Sequence, residues 1–102
     1  MTKSSLHQHG ADDLTFGQAI ALLKRGQRVT RAAWGDSGRW VVLVEGWRGI
    51  PLEPGSAYYD AGLRRVDIDP HLDIHAAPGE MQPGWTPSQA DILAGDWRAV
   101  DD

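Results

Sequence analysis

Two helix-start signals bracket this chain, and the segments between them are patterned for extended structure. In "LTFGQAIALLKRG", Thr15 stands where its hydroxyl can cap a helix and Gln18 follows three residues later, the reciprocal spacing of a capping box. Phe16, Ala19, Ile20 and Leu23 then recur on one face at helical spacing, and Gly26 supplies the left-handed residue that ends the helix. "WTPSQADILAGDW" repeats the signal. Thr86, Pro87 and Gln89 predict a second capped helix with proline at its first position and Gly95 at its end.

The intervening chain reads as strands and loops. "QRVTRAAW" puts Val29 and Arg31 on one side of an extended segment, and "GDSG" at 35–38 has the composition of a hairpin turn. "RWVVLVEG" is rich in β-branched and aromatic residues and is expected to pair antiparallel with residues 28–34. "WRGIPLEPGSAYYDAGLRR" carries two prolines and three glycines, which predict a long loop of the kind that often carries function. "RRVDIDPHLDIHAAPGEMQPG" alternates Val66, Ile68, Leu72 and Ile74 with polar residues around Pro70, predicting an edge strand or a strand with a break. "DWRAV" returns as a short final strand. The sum is an α+β fold, a small single domain over residues 14–102. It has an antiparallel sheet of about four to five strands and an N-terminal and a C-terminal helix. Residues 1–13 are polar and aperiodic and read as a flexible leader.

Composition narrows the function. The chain has 102 residues, 41% hydrophobic and 24% charged, enough for one core. Its net charge of -4 disfavours nucleic-acid polymers and anionic membranes as partners. No apolar run is long enough to span a bilayer and the N-terminus lacks a signal-peptide core, so a cytoplasmic location is expected. The absence of cysteine excludes thiolate chemistry and leaves histidines and carboxylates as metal ligands.

Candidate chemistry is sparse. His7 and His9 read as incidental residues of the leader. Asp67, Asp69, His71, Asp73 and His75 would share one face of a strand and could line up on a divalent metal. The spacing matches no established ligand motif, and the plainer reading is a solvated strand face, so no metal and no cofactor are expected. Ser37, Ser56 and Ser88 lack a nucleophile elbow, and Gly46, Gly49, Gly55 and Gly62 form no phosphate-binding fingerprint. The chain is not expected to be an enzyme.

Five tryptophans remain, at 34, 40, 47, 85 and 97, more than a core of this size needs. Trp40 and Trp97, with apolar neighbours, are expected in the core. Trp34 and Trp85 precede turns or helix starts, where a ring can project over a cleft beside free backbone N–H groups.

"TFGQAIALLKRGQRVTRAAW", a W-V-V-L strand and "PHLDIHAAPGEMQPGWTPSQADILAGDW" together resemble the phage-encoded Thoeris anti-defence family, type two, over about residues 15–100. The resemblance is most specific at the Arg-x-x-Trp segment ending at Trp34 and in the Trp85–Trp97 signature. His75 with "AAPG", and the glycine of "QPGW", depart from the usual pattern. The resemblance implies a homotetramer that sequesters cyclic ADP-ribose-type signals made by TIR-domain proteins, and in some members cyclic dinucleotides, without turnover. On that reading the site is an interprotomer pocket. Trp34 or Trp85 stacks on adenine, and Arg31 faces a phosphate. Ser88 and the helix-start donors bind phosphate or ribose oxygens, and Asp91 and Asp96 accept from ribose hydroxyls or the base amino group. The competing expectations are a protein-binding accessory module using exposed tryptophans and, third, an enzyme with a metal at residues 67–75.

Overall fold

The computed structural model describes residues 12–101, so the expected leader and its His7 and His9 lie almost wholly outside the described residues. Helix α1 spans Phe16–Lys24 and opens on the expected capping box, Thr15 N–H donating to Gln18 Oε1 at 2.8 Å and Gln18 N–H to Thr15 Oγ1 at 3.1 Å. Ala19 and Leu23 face inward, and Gly26 at φ 88 follows the end of the helix.

Among the described residues seven strands follow: β1 Val29–Arg31, β2 Trp40–Val44, β3 Trp47–Pro51, β4 Arg65–Ile68, β5 His71–Ala77, β6 Glu80–Pro83 and β7 Trp97–Ala99. Five form an antiparallel sheet in the order β6-β5-β2-β1-β7. Register aligns Val29 with Val41 and Val41 with Ile74, and α1 packs over this face. The core is Leu14, Ala19, Leu23, Val29, Val41, Ile74 and Trp97. The α+β expectation holds.

Several elements differ from the sequence reading. β1 stops at Arg31, and residues 32–37 form a 3₁₀ segment kinked at Gly35 (φ 56, ψ -133) rather than the second half of a hairpin strand. The cause is a competing acceptor: Ala32 N–H donates to Asp96 O at 3.0 Å and Ala33 N–H to the Asp96 carboxylate at 2.9 Å, turning the chain off the sheet. The expected long loop is instead a two-stranded sheet, β3 with β4, joined through the short helix α2, Ala57–Asp60. Gly46 makes the junction possible, because at φ 84 a Cβ there would lie 2.1 Å from Ile68 O.

Strand β5 is interior, paired with β2 and β6, and Pro70 marks the crossing between the two sheets. Helix α3, Gln89–Leu93, begins at Ser88 rather than Thr86. The reciprocal partner is Asp91, whose Oδ2 accepts Ser88 N–H at 2.8 Å while Ser88 Oγ accepts Asp91 N–H at 3.1 Å. Trp40 is half-buried on the sheet face away from α1, so it is not the core residue expected.

Candidate functional site

Three tryptophans distant in sequence meet at one corner. Trp97 enters from β7 and is fully buried, its Nε1–H donating to Asp91 O at 2.9 Å. It is the expected core pin. Trp34 arrives on the 3₁₀ segment, and Trp85 on the strand-to-helix connection, where Trp85 N–H donates to Leu72 O at 2.7 Å. Their rings pack edge to face: Trp34 and Trp97 at 5.4 Å and 78°, Trp34 and Trp85 at 6.2 Å and 90°, Trp85 and Trp97 at 6.3 Å and 70°. Such T-shaped geometry matches the positive edge of one ring to the negative face of another. Trp34 and Trp85 are half-buried, so the corner presents aromatic surface to solvent over a buried base.

The polar residues expected to touch a ligand bond to one another beneath this corner. Arg31 Nε lies 2.8 Å from Asp96 Oδ1, Arg31 NH1 lies 2.9 Å from Asp91 Oδ1, and Arg31 NH2 reaches Asp96 Oδ2 at 3.5 Å. Hydrogen bonding to Asp96 is the main reason the Arg31 guanidinium holds its proton even more firmly than usual. The same bond from Arg31 draws the Asp96 carboxyl below the ordinary carboxylate range, helped by Ala33 N–H and opposed by burial. Burial pushes Asp91 up, but the hydrogen bonds from Ser88 and Arg31 outweigh it and leave its carboxyl lowered. One cation thus faces two anions, and Arg31 is committed to carboxylates rather than turned to a phosphate. At the start of α3 the backbone N–H groups of Ser88 and Asp91 are likewise engaged, each by the other's side chain.

The 67–75 row divides between two sheets. Asp67 lies on β4, and Arg48 reaches Asp67 at 3.7 Å and Asp69 at 2.9 Å. On β5, His71 Nε2 lies 3.4 Å from Asp73 Oδ1, which also accepts Gly84 N–H at 3.0 Å. His75 Nδ1–H donates to Gly38 O at 2.9 Å while its ring stacks on Trp40 at 4.8 Å and 7°. Among the described residues no three His, Asp or Glu groups converge as a metal-holding cluster.

Two residues of interest escape sequence reasoning. Trp47 is the most exposed tryptophan, at 57%, and its flanks Glu45, Gly46, Arg48 and Gly49 carry the signal of a solvated strand. Arg39 lies with its guanidinium carbon 4.9 Å from the Trp34 ring centroid, a contact created by the 3₁₀ segment and legible in no local motif.

The chain matches the model of the Thoeris anti-defense 2-like domain over residues 14–100. It is also similar to Thoeris anti-defense 2 of Bacillus phage SP01, with 26% identity over 91 residues that cover 85% of this chain and 94% of that protein. The match takes in α1, α2 and α3, strands β1 to β7 and every residue of the tryptophan corner, and the chain therefore belongs to the Thoeris anti-defense 2-like family.

Proposed function

We propose that this protein is a phage or prophage anti-defence protein that binds and sequesters cyclic nucleotide immune signals without cleaving them. The signals are glycocyclic ADP-ribose from TIR proteins and, at wider reach, cyclic dinucleotides. The observation that carries the reading is the corner formed by Trp34 and Trp85 over buried Trp97. A half-buried aromatic pair backed by a rigid core offers a flat base a platform that needs little ordering on binding. Arg31, Ser88, Asp91 and Asp96 hydrogen-bond one another and fix the wall beneath it, so the corner is suited to holding a ligand rather than attacking one.

The active species is a homotetramer, and the pocket is completed between protomers. Support comes from apolar surface that one copy leaves uncovered: Trp47, Tyr58 and Leu63 at the two-stranded sheet and its connection, and Leu93 on α3, 74% exposed. No helix among the described residues is long and apolar enough to cross a membrane, in keeping with action in the host cytoplasm. The experiment is calorimetric titration with cyclic ADP-ribose isomers and cyclic dinucleotides, beside light scattering. Tight binding by a tetramer supports the reading. A monomer that binds none of them, and captures a host protein through Trp47, instead supports the accessory-module alternative, which the exposure of that ring favours.

A further inference from the structure

With Arg31 held by two carboxylates, the tryptophan corner needs another cation if it is to take an anionic ligand, and we propose that Arg39 is that residue. Its guanidinium sits over the Trp34 ring with the carbon 4.9 Å from the centroid. Its Nε–H points to the neutral Ser37 hydroxyl at 3.4 Å, and the same hydroxyl takes the Arg39 backbone N–H at 3.3 Å. Among the described residues no carboxylate lies within ion-pair distance of Arg39, and its two terminal nitrogens have no hydrogen-bond partner. The side chain is exposed, yet it is placed: Thr30 Oγ1–H donates to Arg39 O at 2.7 Å, fixing the backbone from which it springs.

The contrast with Arg31 decides the assignment. Both arginines flank Trp34 in sequence, but Arg31 lies beneath the corner with its charge more than matched by Asp91 and Asp96. Arg39 lies on the solvent side with its charge uncompensated. A guanidinium over an indole keeps its N–H donors in its own plane, available to a phosphate while the flat face remains on the ring. The ligand class is therefore a flat heterocycle carrying phosphate, the base on the aromatic corner and a phosphate oxygen on the NH1 and NH2 donors of Arg39. This inference shares its surface with the proposed function but claims only the cation.

The test uses ADP and adenosine as probes, followed by calorimetry and tryptophan fluorescence, with cyclic ADP-ribose titrated in parallel. The wild-type protein is expected to bind ADP more tightly than adenosine, with an affinity that falls as salt is raised. Arg39→Gln should weaken ADP about tenfold and remove most of the salt dependence, leave adenosine within about twofold, and be substantially rescued by Arg39→Lys. Equal ADP binding by Arg39→Gln and wild type overturns the proposal, as does wild-type protein that binds no ADP or an equal loss of ADP and adenosine. Cyclic ADP-ribose left unbound while Arg39→Gln still loses ADP removes the cyclic-signal reading and leaves this one standing.

Discussion

Arg31 Nε and Asp96 Oδ1 stand 2.8 Å apart, joining a strand near the start of the fold to the turn before its last strand. Both side chains are largely shielded from water, and Asp91 completes the bridge from the first turn of α3 at 2.9 Å. Arg31→Ala leaves two carboxylates facing each other without their cation, and should destabilise the fold by about 2–4 kcal/mol in urea denaturation. Arg31→Lys recovers only part of this, because an ammonium cannot span both acids in the plane of a fork. A loss under about 0.5 kcal/mol for Arg31→Ala would mean the bridge is ornamental.

The same cluster sets an acid limit. Asp91 and Asp96 have carboxyls lowered in the folded state, so folding is favoured while they are ionised. Their contribution is complete above the ordinary carboxylate value of about 4 and is lost as pH falls through the lowered values. The urea midpoint should therefore hold between pH 7 and 5 and fall below about pH 4. Asp96→Asn should start from a lower midpoint and show a shallower acid decline. An identical decline in both proteins would assign the acid sensitivity to other groups.

Gly46 is a sharper test of the junction between the two sheets. At φ 84 with Ile68 O 2.1 Å from an added Cβ, Gly46→Ala must move backbone, and should cost at least about 2 kcal/mol. Gly55, at φ 101 with open space around it, should cost only about 1 kcal/mol on the same change. Equal effects at the two positions would show that the close approach does not hold in solution.

These particulars mark what was legible in the sequence. The Thr15–Gln18 box and the face of Ala19 and Leu23 were, because a helix start depends on neighbours three residues apart. The β1–β2 pairing and the start of α3 are only half legible, and for one reason: each depends on a distant partner. Ser88 displaces Thr86 as the cap because Asp91 both closes its box and receives Arg31 from 60 residues away. The Asp67–His75 row shares one face only if alternation runs through Pro70, and the break that Pro70 signals is where the chain leaves one sheet for the other. Trp34 and Trp85 stand out in the sequence by their positions beside turns. That Trp97 packs against both, and that Arg39 lies over Trp34, are facts of tertiary packing alone.

The two half-buried rings should separate binding from folding. Trp34→Ala and Trp85→Ala each remove a face of the corner while leaving buried Trp97 and its bond to Asp91 O in place. Each should weaken cyclic nucleotide binding by about 1–3 kcal/mol, the scale of base–aromatic stacking. Circular dichroism and thermal melting should show both variants folded. Unchanged affinity in both folded variants would place the ligand elsewhere on the surface.

Capture without chemistry is tested most directly by what the protein gives back. Purified protein is saturated with glycocyclic ADP-ribose, freed of unbound ligand, then heated, and the released material is identified by mass spectrometry and chromatography. Tight binding and recovery of the intact cyclic nucleotide in stoichiometric amount are expected. Recovery of a linear or hydrolysed product would make the protein an enzyme, and no retained ligand would contradict the sequestering role outright.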